Sequence, residues 1–296
     1  MRLSECSLNS ATIRGASLTS VLDLAVDHGF GGVGLWRDVL DDADLPLNAR
    51  RVASSGLRVS SVCRGGMFPQ PTRQLRQARF EDNLRAIDQA HALRAECLVL
   101  VCGPPYDGNT ASARAEIRDG IEALAPHATA AGVDLAVEPF HPMMAASRSV
   151  ITSLREALAL VRSIGSPRLG LAVDSYHLWW EDELGERIAD AGDLIRSVQL
   201  ADWMMPIHDE LESRGMPGEG VIDMGRFLAD CRGAGYRGLV EVEVLSRRWW
   251  SVAPAEAVAA AARALTDLVD PYALPTDNDT PSNRFLKMAD NADSGQ

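Results

Sequence analysis

The chain has 296 residues, 46% of them apolar and 24% charged, with a formal net charge of −12 and a pI near 5.0. This is a globular composition, and a field of that sign repels nucleic acid and anionic membrane surfaces, so neither is an expected partner. No run of about 18 uncharged apolar residues occurs, which argues against a membrane-spanning helix; the N-terminal stretch MRLSECSLNSATIRGASL lacks a continuous apolar core, so a cytoplasmic location is expected.

Strand-like and helix-like periodicities alternate along the chain. Residues 3–9 read as a first strand, followed by a helix marked by Ser17, Ser20 and the apolar spacing of Leu18, Val21, Leu22 and Ala25. GGVGLW (31–36) is a second strand, 49–55 a short helix, LRVSSVC (57–63) a third strand, and 73–95 a long amphipathic helix. CLVLVC (97–102), a helix over 111–131, VDLAVE (133–138) and a helix over 153–164 follow. The series closes with LGLAVD (169–174), a helix over 183–190, SVQLAD (197–202), a helix over 223–233, LVEVEVL (239–245) and an alanine-rich helix over 253–268.

Eight strand–helix units of this kind predict a single (β/α)8 barrel over residues 1–268, with near-continuous aliphatic strands covered by helices. A doubly wound open sheet is the rival, weakened because no GxGxxG turn follows the first strand. The segment 269–296, rich in Pro, Asn, Asp and Ser, is expected to be disordered or to dock on a neighbouring subunit of a homo-oligomer.

Active sites of such barrels lie at the C-terminal ends of the strands. Here strand five ends in Glu138, strand six in Asp174, strand seven carries Gln199 then Asp202, and strand eight carries Glu241 and Glu243. Carboxylates inside apolar runs are costly unless paired or bound to a cation. Glu138, Asp174, Gln199 and Glu243 are therefore expected to hold one divalent metal ion, with Glu241 deeper on the same strand face, as a supporting partner or paired with an arginine. The oxygen-rich set suits Mn2+ first, with Mg2+, Co2+, Fe2+ or Ni2+ as alternatives. Single carboxylates at strand ends are as often salt-bridge partners; four suitable groups on four consecutive strands favour the metal.

Other residues exclude chemistry. The five cysteines are scattered, with no CxxC pair, and read as reduced and mostly buried thiols. The only lysine, Lys287, lies in the tail, so no lysine is expected inside the barrel to form a Schiff base.

The stretches VEPFHP (137–142), VDSYHLWW (173–180), VQLADW (198–203), RGMPGEGVIDM (214–224) and GYRGLVEVEV (235–244) carry a resemblance. The chain resembles the xylose-isomerase-like superfamily of barrels, which includes ketose 3-epimerases, hydroxypyruvate isomerase, inosose dehydratase and dehydroshikimate dehydratase. The resemblance implies the same ligand positions, with Gln199 standing where many epimerases have histidine. It also implies that His177, in the DxxH pattern after Asp174, contacts substrate oxygens, and that Arg214 of the RxPGxG-like loop binds substrate. Trp36, Arg64 and His141 are further candidates for substrate contact. His208 is a weaker one. The tryptophans beyond the strand ends are candidates for an aromatic wall against a sugar or cyclitol, with rim packing as the plain alternative.

This constellation supports proton transfer next to a carbonyl, with a metal-stabilised enediolate, Glu138 and Glu243 as bases, and His177 assisting. The expected substrate is an unphosphorylated sugar, keto-sugar or cyclitol, and the reaction an isomerisation or epimerisation. A dehydratase using the same metal site is the alternative. A binding barrel with degraded catalysis and a DNA-repair nuclease are weaker readings, the first against the intact ligand set, the second against the charge and the six scattered histidines.

Overall fold

The structure is a computed structural model describing residues 1–40 and 44–268. Its eight strands are β1 (Cys6–Asn9), β2 (Gly32–Trp36), β3 (Arg58–Gly66), β4 (Cys97–Val101), β5 (Asp134–Val137), β6 (Leu169–Asp174), β7 (Ile195–Leu200) and β8 (Val240–Val242). Each pairs in parallel with its sequence neighbours, and β8 returns to β1, which closes a barrel in strand order. The expected fold is the observed one. The expectation for 269–296 lies outside the described residues.

Six of the covering helices start at a side-chain cap. Ser17, Asp44, Thr72, Asn109, Ser153 and Asp223 each accept a first-turn backbone N–H. The long helices Arg73–Ala92 and Thr110–Ala131 flank β4. Gly132 and Gly165 end Thr110–Ala131 and Leu154–Ile164 in the left-handed conformation that glycine adopts without strain.

The second half of the barrel shows how the strands divide their two faces. Val137, Val173, Val198 and Val242 point outward into the apolar layer beneath the helices. One residue to either side, the chain turns inward: Ala136 and Glu138, Ala172 and Asp174, Ser197 and Gln199, Glu241 and Glu243. Cys63, Cys97, Val99, Ala136 and Ala172 form a small apolar plug inside the barrel, with Trp36 against it. The polar residues lie above and beside that plug.

Element ends differ from the sequence expectation at several places. The helix expected at 49–55 begins at Leu45, because Asp44 caps it and Pro46 occupies its first turn. The first strand is shorter, with a 3-10 turn over Leu3–Glu5 ahead of it. The third strand runs on to Gly66. Asp202 lies beyond β7, not in it, and its backbone pairs with Gly215 of the following loop. Among the described residues, no helix is long and apolar enough to cross a membrane.

Candidate functional site

Glu138, Asp174, Gln199 and Glu243 converge at the C-terminal mouth, all less than 5% exposed. The ladder sets their heights: Asp174 is level with Gln199, Gln199 with Glu241, and Glu243 lies two residues further toward the mouth. The tightest trio is Glu138, Asp174 and His177, whose candidate donor atoms all lie within 4.8 Å of one another. Glu243 is held slightly apart by three donors: Trp36 Nε1 at 2.8 Å, Asn9 Nδ2 at 3.0 Å and Arg214 Nη1 at 3.3 Å.

Beneath this layer, Glu241 is fully buried and pairs with no arginine among the described residues, which favours the supporting role over the arginine pair. Its carboxyl accepts from Asn9 Nδ2 (2.5 Å), Ser60 Oγ (2.6 Å), Ser61 Oγ (2.8 Å to Oε2) and Gln199 Nε2 (3.1 Å). The last bond decides which way the Gln199 amide points. With its nitrogen committed to Glu241, Gln199 presents its oxygen, and that buried Oε1 has no hydrogen-bond partner. Gly34 makes the arrangement sterically feasible, since a Cβ there would lie 2.4 Å from Glu241 Oε1.

Arg214 reaches into the carboxylates from the loop after β7. Its Nη1 lies 3.1 Å from Asp174 Oδ2, its Nη2 faces His177 Nε2 at 3.2 Å, and its guanidinium lies over the Tyr176 ring at 4.4 Å. Asp202 fastens that loop by accepting from the backbone N–H of Gly218 (2.8 Å) and Ile222 (3.0 Å).

One guanidinium does not neutralise three buried acids. Burial, opposed by Arg214 and reinforced by Asp174 and Glu241, pushes Glu243 up to about 7. Burial together with Glu243 and Asp174 raises Glu138 well above the ordinary carboxyl range, and burial raises Asp174 despite Arg214 and the Tyr176 amide. His177 is driven the other way, well below its ordinary value, by burial and then by Arg214 and His141. It is a neutral imidazole at physiological pH, with Nε2 3.8 Å from Glu138 Oε1 and 3.7 Å from Asp174 Oδ2.

The remaining candidates divide. Trp36 and Arg64 line the cavity that holds Glu138, Glu243 and Arg214. His141 instead packs among aromatic rings, 4.7 Å from Trp203 and 5.5 Å from Trp180, and donates its backbone N–H to His177 Nδ1 at 3.4 Å. Trp203 is buried against Tyr176, so rim packing accounts for it. His208 is exposed. All five cysteines are buried free thiols, and Cys63, at the cavity floor, is raised well above its ordinary value by burial and then by Glu243 and Glu138. Both effects disfavour its thiolate.

A family model described as xylose isomerase-like TIM barrel matches residues 22–268. The chain belongs to that family. Within it, the chain is 31% identical over 243 residues to a 3-dehydroshikimate dehydratase of Pseudomonas aeruginosa, covering 78% of this chain and 36% of that protein. The chain thus spans about a third of that relative's length. A ketose 3-epimerase of Arthrobacter globiformis is 25% identical over 138 residues, 46% of this chain and 44% of that one. Among solved structures, protein SMc04130 of Sinorhizobium meliloti 1021 superposes with a TM-score of 0.88 at 38% identity, covering 91% of this chain and all of that chain. Both relatives with named activities are enzymes.

For a xylose isomerase-like barrel, the residues fit a divalent cation on chemical grounds. The buried Gln199 Oε1 is an acceptor without a donor, and burial and mutual repulsion push the three adjacent carboxyls toward their protonated forms, which a bound cation would reverse. Sequence reasoning missed Asn9, Ser60 and Ser61, which support the site from β1 and β3. Small polar residues in a strand give no signal beyond an inward-facing position, and theirs emerges only from their hydrogen bonds to Glu241.

Proposed function

We propose that this barrel is a divalent-metal-dependent isomerase or epimerase that removes a proton from the carbon next to a carbonyl of a sugar, keto-sugar or cyclitol. The observation that carries the reading is the buried set Glu138, Asp174, Gln199 and Glu243, with Gln199 Oε1 left without a donor. These four residues would hold the ion, Mn2+ by preference for a hard oxygen set. When bound, the ion supplies Lewis-acid polarisation of the substrate carbonyl.

The chain's own residues do the rest. Trp36 and Asn9 donate to Glu243 Oε1 and Arg214 Nη1 to Oε2, which fixes the orientation of the carboxyl assigned to take or return a proton. Glu138 is the second carboxyl in the same cavity, which suits a two-base exchange of a proton across a bound substrate. Neutral His177 orients a substrate hydroxyl through Nε2, and Arg214 ties Asp174, Glu243 and His177 into one rigid group. Trp36, Phe140 and Leu245 give the cavity apolar walls that limit water.

A second reading, dehydration, draws support from the 31% identity to a named dehydratase. It needs the same first proton removal, followed by loss of a β-hydroxyl instead of reprotonation. One experiment tests the shared step: keto-sugars and cyclitol ketones incubated with the Mn2+-loaded protein in D2O and followed by NMR. Deuterium entering substrate or product supports α-proton removal, and a new enone absorbance selects dehydration. An isomerised product with no solvent deuterium refutes the isomerase reading, and the absence of both deuterium and enone refutes both.

A further inference from the structure

Two arginines at the mouth of the site form no ion pair with an acid among the described residues. Arg64 stands near the end of β3, and Arg148 lies in the segment after β5. The backbone there is fixed: Arg148 N–H donates to Met144 O at 2.8 Å, and Ser149 bridges to Gly103 beyond β4. Both side chains line the cavity containing Glu138, Glu243 and Arg214, and both also line its outer part beside Trp36 and Leu211.

Neighbouring arginines are all engaged. Arg37 and Arg79 pair with Asp82, and Arg14 and Arg247 with Glu212. Arg64 and Arg148 form no ion pair with any described residue, and the buried Nε of Arg148 has no hydrogen-bond partner. The described acids nearby are held by other partners or exposed, and Arg148 acts on Asp209 through its charge without an ion pair. Asp209 is held by the Leu211 and Glu212 amides and by Arg247, Glu210 by Ser147, and Asp38 is exposed at the rim. Burial, with Arg148, Arg79 and Arg37 close by, even lowers the Arg64 guanidinium below its ordinary value. Half-buried guanidinium groups left in this state are costly unless an anion completes them.

We propose that the substrate carries a carboxylate, held between Arg64 and Arg148, on the same small molecule whose carbonyl faces Glu138 and Glu243. The identification of the reacting end rests on the function proposed above; the anion site rests on the two arginines. The outer cavity has a volume of about 200 Å3, which suits one ring or a short chain. Planar guanidinium forks match the two oxygens of a carboxylate, and the described residues include no lysine, the usual point-charge partner of phosphate. Within the sugar and cyclitol class proposed above, the substrate is therefore an acid form, a polyhydroxylated keto acid.

The test is calorimetric titration of the protein, with and without Mn2+, using three probes of one ring type: quinate, myo-inositol and myo-inositol monophosphate. Quinate is expected to bind about 30-fold more tightly than myo-inositol, from charge-assisted hydrogen bonds to two arginines. Arg64→Gln and Arg148→Gln are each expected to lose about tenfold in quinate affinity, with Mn2+ content unchanged, and the lysine variants to recover part of it. Equal affinity for quinate and myo-inositol, or tighter binding of the phosphate, overturns the proposal. If both variants fail to fold, the probe preference of the unsubstituted protein decides. Failure to take up Mn2+ would sink the metal reading alone, because the quinate preference is also read without metal.

Discussion

Replacing Glu241 with alanine tests whether a residue that touches no metal sets metal affinity. The change leaves the Gln199 amide and the Ser61 hydroxyl without their acceptor; Asn9 keeps Glu243 and Ser60 keeps Val33 O. Two orphaned buried groups cost about 1–3 kcal/mol each, so a loss of about 2–6 kcal/mol in stability is expected. Gln199 is then free to turn its oxygen away, and disruption of an outer support of this kind lowers metal affinity about 10–100-fold. Glu241→Gln is the control. Its amide oxygen still accepts from Gln199 and Asn9, and its nitrogen faces the Ser60 and Ser61 hydroxyls, which can turn to accept. Its Mn2+ affinity should fall by less than about tenfold. The assay is Mn2+ titration followed by electron paramagnetic resonance of the free ion, alongside urea unfolding. Unchanged affinity in Glu241→Ala refutes the reasoning, and an equal loss in Glu241→Gln assigns the effect to charge instead of orientation.

Other outcomes follow from the same geometry. Purified protein should contain about one divalent ion per chain, removable by chelation; Glu243→Gln should weaken binding and abolish turnover, checked by metal analysis and the deuterium assay. Gly34→Ala should destabilise by about 3 kcal/mol, because its Cβ would lie 2.4 Å from Glu241 Oε1; wild-type urea unfolding would contradict this. Since Glu243 is raised from 4.5 to about 7, the metal-free fold keeps this group's contribution below pH 4.5 and loses it as pH rises through about 7. Mn2+ pairs with the charged form, so its thermal-shift effect should grow from about pH 5 to about pH 8; a flat dependence contradicts the burial argument. Asp202→Ala should release the 214–222 loop, seen as new protease cleavage there and a raised KM.

The barrel and its mouth were legible for a specific reason. Glu138, Asp174, Gln199 and Glu243 interrupt aliphatic runs, and burying such groups is too costly to be incidental. The i, i+2 rule also ordered Glu241 below Glu243 correctly. What the sequence hid was whatever depends on distant contacts. Arg148 lies in an irregular segment and reaches the mouth only because the chain bridges to Gly103. The helix starting at Leu45 was masked by Pro46, which reads as a breaker although it belongs in a first turn. The packing of the His141 ring against Trp180 and Trp203 was likewise not readable from its place in the sequence.

The valine rows of β5 to β8 alternate with the inward residues one position at a time, so scaffold and chemistry are interleaved texts on the same four strands. A substitution edits one text and leaves the other readable. A single-residue insertion or deletion inside a strand exchanges them, turning carboxylates toward the helices and valines toward the mouth. This architecture can therefore drift widely in what it acts upon through point changes, while length changes are confined to the loops between its strands.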